Sequence, residues 1–319
     1  MTLINKSRII VSGFIVFGAL LFLMCFTVSG NTQTLYSCES PNNGPNPFLH
    51  TIDPNTGATL STTEITLAGE QLRGCNGLSR NPDSGVCWIV LSPPGAGDAG
   101  SGGNAQRLLA TIDPDTGVAT LVGDTGERIA GIAFNTNGDT LYGITANADG
   151  LFIPKIVTLS KLNGSSTFIQ NLIGGDVGGE AIGFNPNDGL LYRASGDTPV
   201  LNVDAFFESI NPANMNVTPI PISGDTTVYG EQNSFVHESG NLFLIAQGGG
   251  GSDDVLHSIN TNGVVSFIGD MDHSAKGLAF DCSVPPSQVP TLSEWGLLAM
   301  AGILGIVGFM VIRRRKATA

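Results

Sequence analysis

Between residues 49 and 281 the apolar positions of this chain return in a fixed arrangement. Five short segments carry it: LHTIDPNTG (49–57), LATIDPDTG (109–117), IVTLSKLNG (156–164), FESINPANM (207–215) and LHSINTNG (256–263). Each alternates apolar and polar residues around a central Ile52, Ile112, Leu159, Ile210 or Ile259, then closes on Asp, Asn, Pro and Gly. Period-two alternation ending in turn residues predicts a half-buried strand. A second phrase follows each segment: GLSRNPDSGVCW (77–88), GIAFNTNGDTLY (131–142), AIGFNPNDGLLY (181–192), QNSFVHESGNLF (232–243) and the shorter GLAFD (277–281). Two apolar runs flanking an Asn/Asp/Gly turn predict a hairpin. The residue before its Phe-type position is always small (Ser79, Ala133, Gly183, Ser234, Ala279), as expected where neighbouring sheets approach closely.

A period of about 50 residues with four strands per copy describes one sheet per repeat. The fifth copy stops at Asp281, one strand short, and the missing strand stands at the other end of the body as LYSCES (35–40), matching LYGITA (141–146). A chain that begins with a strand of its last repeat closes a ring. The expected fold is all-β: a five-bladed β-propeller over residues 34–283, closed by the N-terminal strand, a design that leaves few exposed sheet edges. A two-sheet sandwich would give no such in-phase period.

The two ends break the pattern. Residues 1–33 carry Lys6 and Arg8, then an apolar run to Val28 and no acid, which reads as a signal peptide for signal peptidase. The run is long enough that an uncleaved anchor stays open. At the far end a linker (284–289) leads to VPTLSEWG, an apolar run at 297–312, and Arg313, Arg314, Arg315 and Lys316. As a helix, 297–312 would extend about 24 Å against a bilayer core of about 30 Å, with Trp295 at one interface and the cations at the other. Basic residues stay cytoplasmic, so the body is expected outside the inner membrane.

Between these ends lie only eight of the 14 basic residues and 26 of the 27 acidic ones, a formal charge near −18. Such a surface disfavours nucleic acid, and no nucleic-acid partner is expected. It suits a soluble exported body and leaves cations as natural small partners. Each repeat also carries Gly followed by an acid, giving Glu70, Asp124, Asp176, Asp225 and Asp270. If the loops bearing them surround the channel, the five carboxylates form a candidate Ca²⁺ ring. The alternative is that each acid accepts hydrogen bonds from its own loop backbone.

Four cysteines follow the leader: Cys38, Cys75, Cys87 and Cys282. An even count in an exported chain predicts two disulfides with three connectivities. The local pair Cys75–Cys87, with Cys38–Cys282 tying the ends, is the favoured one. His50 and His257 share one repeat position with Ala110, Val157 and Glu208, which reads as strand surface rather than metal ligation. No G-x-S-x-G or H-E-x-x-H motif is present, and no catalytic residue is assigned. Glycine-rich stretches at 93–106, 147–154 and 247–254 are expected on the face that bears the repeat-joining loops.

The phrases TIDPxTG and GIAFxxxGxxLYG resemble repeats of bacterial exported propeller-like proteins of unknown role. VPTLSEWG (289–296), the apolar run and RRRK resemble the IPTL-CTERM sorting signal of Gram-negative bacteria, assigned to 290–316, with Val289 in place of the family's Ile. That resemblance implies recognition of Val289, Pro290, Thr291, Leu292, Trp295 and Gly296 by an exosortase-type protease, then transfer to the envelope or exterior. The resulting expectation is a non-enzymatic surface protein that binds an exopolysaccharide, a cation or an envelope protein. Two alternatives stay open. One is a secreted glycan hydrolase with opposed carboxylates, the other a purely structural envelope component.

Overall fold

The computed structural model describes residues 33–39, 46–94, 106–145, 153–173, 180–195, 206–224, 231–248 and 254–283. The leader, the linker, the sorting segment and the 297–312 run lie outside them. The described residues are strands and turns, without a helix.

The first three strands, β1 (Leu35–Glu39), β2 (Phe48–Ile52) and β3 (Thr59–Glu64), belong to blade I. A short β4 (Thr66–Leu67) precedes blade II, which is β5 (Gly74–Arg80), β6 (Cys87–Ser92), β7 (Leu108–Ile112) and β8 (Val118–Asp124). Blade III is β9 (Ile129–Phe134), β10 (Leu141–Thr145), β11 (Lys155–Leu159) and β12 (Ser166–Asn171). Blade IV is β13 (Glu180–Asn185), β14 (Leu190–Ser195), β15 (Phe206–Ile210) and β16 (Val217–Pro219). After β17 (Ser223–Gly224) comes blade V: β18 (Glu231–Ser239), β19 (Leu242–Gly248), β20 (Val255–Asn260) and β21 (Val264–Asp270). The last strand, β22 (Ala275–Phe280), returns to blade I, where the order is β22-β1-β2-β3.

Each sheet is an antiparallel meander, apart from β4 and β17, which add in parallel to the outer edges of β8 and β21. The inner strands β22, β5, β9, β13 and β18 pack side by side in that order and back to β22, which makes a closed five-bladed ring. The closure is the expected one. Leu35 stands opposite Phe280 and Tyr36 opposite Ala279, while Asp281 N–H donates to Thr34 O and Thr34 N–H donates to the Asp281 carboxylate. The small inner-strand residues also behave as expected. Ser79 Oγ accepts a bond from the Phe134 backbone of the next blade, and a Cβ on Gly183 would meet the Phe235 ring.

The core lies between blades. Five apolar clusters fill the five interfaces, for example Cys38, Leu49, Cys75, Leu78, Ile89 and Ala110 between blades I and II. Outward-facing Leu60, Leu121, Phe168 and Phe267 sit on the outermost strands.

Neighbouring blades also interlock at the rim. The turn that begins each outermost strand receives the chain leaving the preceding blade: Thr66 N–H donates to Gly117 O, Ser166 N–H to Thr125 O, and Ser223 N–H to Gly263 O. The approach is so close that a Cβ on Gly123 would strike the Asn163 carbonyl, and one on Gly269 the Thr56 carbonyl. This contact explains the glycine of the Gly-acid pair at Gly123 and Gly269.

The disulfides correct the favoured pairing. Cys38 is bonded to Cys75, and Cys87 to Cys282. Cys75 and Cys87 lie on paired strands but at opposite ends of the hairpin, Cys75 facing Leu91 and Cys87 facing Arg80. Cys38 faces Gly277, five residues short of Cys282, so those two are also at opposite ends of their ladder. Both bonds therefore join blade I to blade II.

Candidate functional site

The candidate cation ring meets a different strand order from the one it assumed. The strand that ends in Gly-acid is outermost in its blade, so Asp124 and Asp270 stand at the rim end of β8 and β21 rather than around the channel. Glu70 follows β4, which adds outside β8. Asp124 Oδ1 accepts a 2.9 Å bond from Gly126 N–H, the local loop role given as the alternative. Asp176 and Asp225 lie outside the described residues. Among the described residues no three His, Cys, Asp or Glu side chains are grouped to hold a metal ion.

The repeat position shared by His50, Ala110, Val157, Glu208 and His257 is not strand surface. All five are buried, because each blade packs that face of its third strand against the preceding blade. Three blades therefore bury a polar side chain where the other two bury Ala or Val. Each must find partners, since an unpaired buried polar group costs free energy. Two of these positions seed the described polar networks.

In blade I, Leu35 and Ile52 pack with Leu244, Ala246 and Leu256 of blade V. Ser37 and His50, two residues along the same strands, share that face. The His50 and His273 rings stack there with centroids 4.0 Å apart and planes 21° apart. His50 pairs Nδ1 with Thr62 Oγ1 at 3.0 Å and Nε2 with Glu39 Oε2 at 3.0 Å. His273 pairs Nε2 with Ser37 Oγ at 2.9 Å and Nδ1 with Asp272 Oδ1 at 3.0 Å. Asp272 also accepts from Thr59 Oγ1. Burial, then the neighbouring His50 charge, holds the His273 pKa below the ordinary imidazole value despite Asp272 and Glu39.

Ser37, His273 and Asp272 reproduce the hydrogen-bond order of a serine-hydrolase relay. Their exposure is reversed. Acyl transfer needs an open nucleophile and a sheltered acid, whereas Ser37 is 0% exposed and the Asp272 side chain 69%. The arrangement joins strands instead. Ser37 is in the N-terminal strand, and His273 lies in the connection to the C-terminal one.

In blade IV the network is ionic. Arg193, wholly buried, donates Nε to Glu180 Oε2 at 2.9 Å, Nη2 to Glu180 Oε1 at 3.0 Å and Nη1 to Glu208 Oε1 at 2.8 Å. Ser195 Oγ–H donates to Glu180 Oε1 at 2.8 Å. Leu191, two residues earlier on β14, packs with Ile144 and Ile156, so this network lies between blades III and IV. Burial raises the Glu180 carboxyl above its usual range, against the pull of Arg193. Burial alone would lower the Arg193 pKa, but the two carboxylates outweigh it. Both carboxylates are thus committed to a structural cation.

Ser37, Asp272, His273, Glu180 and Arg193 were not singled out from the sequence. For two of them the signal is a break in the repeat: Arg193 and Ser37 stand where other copies have Ile89, Gly143 and Ile245.

At its C-terminal end the described body is fixed to blade II. Ser283 N–H donates to Gly85 O, and Arg80 Nε to Asp281 O, beside the Cys87–Cys282 bond. The chain continues from there into the segment that carries the family match. Residues 288–316 are an IPTL-CTERM motif. The IPTL-CTERM motif implies handling by an exosortase-type sorting system and points to an exported, cell-surface protein. No curated protein matches the sequence. Among solved structures, the chain is similar to TolB from Acinetobacter baumannii at 12% identity and a TM-score of 0.47, covering 88% of this chain and 74% of that one. It is also similar to the periplasmic gluconolactonase of Pseudomonas aeruginosa at 11% identity and a TM-score of 0.42, covering 79% and 99%.

Proposed function

We propose that this chain is an exported, surface-sorted β-propeller that acts as a binding protein of the cell envelope or extracellular matrix. The supporting observation is the IPTL-CTERM motif placed directly after a ring that is already complete at Phe280. The described strands already form the closed ring at Phe280, and in this reading the tail serves as a removable address. In this reading the leader (1–33) delivers the chain to the export machinery and signal peptidase. The 297–312 run, with Arg313, Arg314 and Arg315, then holds the precursor in the inner membrane. A sorting protease reads Val289, Pro290, Thr291, Leu292, Trp295 and Gly296. Two disulfides fit the oxidising exterior in which the body would work.

Mass spectrometry of the mature C-terminus from the native host tests the reading. A terminus that has lost Arg313–Lys316 is expected, and an intact RRRK end on the surface protein would overturn it. Binding of the same processed protein to an array of bacterial exopolysaccharides then tests the partner class.

A further inference from the structure

Blade I is assembled from both ends of the chain, and its two flanks are held differently. Toward blade II two disulfides cross the interface, one from β1 and one from the residue pair after β22. Toward blade V the interface is an apolar cluster that encloses the stacked imidazoles. We propose that this second flank is an acid-sensitive latch, in which protonation of the His50–His273 pair loosens the ring-closing blade from blade V.

The geometry carries the argument. With both rings neutral, each nitrogen has a described partner: Thr62 and Glu39 for His50, Asp272 and Ser37 for His273. A proton added to His273 makes both of its nitrogens donors, so the buried Ser37 hydroxyl must turn its own hydrogen away from Nε2. A proton on each ring places two cations 4.0 Å apart in a site closed to water. The charged groups around the pair are Glu39 on β1, Asp272 beside His273, and Glu64 two residues beyond Thr62 on β3. Asp254 of blade V exchanges backbone bonds with His273 and Met271, and its carboxylate accepts from Ala275 N–H. Lys276 stands three residues past His273. Each imidazole has one carboxylate partner, so the first proton is accommodated, and the second is opposed by the charged ring stacked 4.0 Å away.

The parts that would move are the ones that close the ring. Ser37 links β1 to the connection leading into β22, and Thr59 Oγ1 with Asp272 links the start of β3 to the same connection. An exported protein meets the pH of its surroundings. That use of the latch rests on the sorting reading, while the latch itself does not.

Hydrogen exchange of the mature, disulfide-bonded protein at pH 7.5 and pH 5.0, corrected for intrinsic rates, tests it. Peptides covering β1, β2 and β22 are expected to open about tenfold more at pH 5.0, with β9 to β12 unchanged. His50→Phe keeps an aromatic ring in the stack and removes one proton site, so its ratio between the two pH values should fall to near one. His50→Gln, which keeps hydrogen-bonding capacity, should do the same if the ring substitution itself disturbs packing. A uniform acceleration, a response centred on β19 to β21 around His257, or an unchanged ratio in both variants would each overturn the proposal.

Discussion

Cys282, two residues beyond the last strand of the ring, is bonded to Cys87 of the next blade, 195 residues earlier in the chain. Cys38, on the strand from the other end, is bonded to Cys75 of that same blade. Each terminal strand thus has its own covalent tie to blade II, and neither tie relies on the other.

Removing one tie should act on one terminal strand. Paired substitution Cys87→Ser with Cys282→Ser is expected to cost about 2–5 kcal/mol in denaturant unfolding, with β22 becoming the first element to exchange. Replacing Cys38 and Cys75 should instead release β1. Equal effects on both strands from either pair would show that the ties do not act separately.

The buried ion network predicts an asymmetry between single and multiple replacement. Arg193→Met leaves Glu180 and Glu208 facing each other in an apolar interface, and about 3–5 kcal/mol of stability should be lost. Adding Glu180→Gln and Glu208→Gln should recover a large part of it. A thermodynamic cycle by chemical denaturation, with Arg193→Met on one side and the paired Glu180→Gln and Glu208→Gln on the other, measures the coupling.

Acid unfolding should come in two stages. The folded His273 pKa lies below the ordinary imidazole value of 6.5, so the unfolded chain binds that proton more readily and stability falls as pH drops below about 6.5. Asp272 is depressed by its bonds to Thr59 and then His273, so its contribution, present above the ordinary aspartate value of 3.8, is lost only as pH falls below it. Burial raises Glu180, which acts in the opposite direction and offsets part of the first loss. Thermal melting from pH 7.5 to pH 3 should show both inflections, and Asp272→Asn should weaken the lower one, to which Asp53 and Asp139 also contribute.

The rim contact predicts which glycines resist change. Gly269→Ala would drive a methyl group into the Thr56 carbonyl and should cost about 1–3 kcal/mol. Gly69 has positive φ but open space around it, so Gly69→Ala should cost only its backbone strain, about 1 kcal/mol. Comparing the two melting temperatures separates the crowding term from the conformational one.

Within the tail, Pro290→Ala combined with Thr291→Ala should block processing. The full-length precursor, still carrying Arg313–Lys316, is expected to accumulate in the membrane fraction of the native host. Immunoblotting with mass spectrometry of the retained band checks it.

The ring itself was legible in the sequence because its evidence is periodic. Ile52, Ile112 and Ile259 mark one strand position, and LYSCES supplies the strand missing after Phe280. Radial position was not legible, since a repeat fixes the order of strands along the chain but not which of them faces the axis. Asp124 and Asp270 were therefore expected around the channel and stand at the rim. The disulfides failed for a related reason: closeness in sequence puts Cys75 and Cys87 in one hairpin, but register sets them at its opposite ends. The imidazole and arginine networks lay in the exceptions to the repeat, and an exception shows where to look without naming the partner across the blade interface.

The bonds between Thr34 and Asp281 have a consequence for the gene rather than for the fold. With the first and last described strands adjacent, the body is a cycle in space, and the point where it opens is arbitrary for building five blades. A circular permutant joined across Thr34 and Asp281 and opened at the exposed turn beside Gly189 would be expected to rebuild the same ring. What it would lose is the present point of departure of the C-terminus, beside Cys282. The natural cut in the cycle therefore decides where the address is attached, not how the propeller is made.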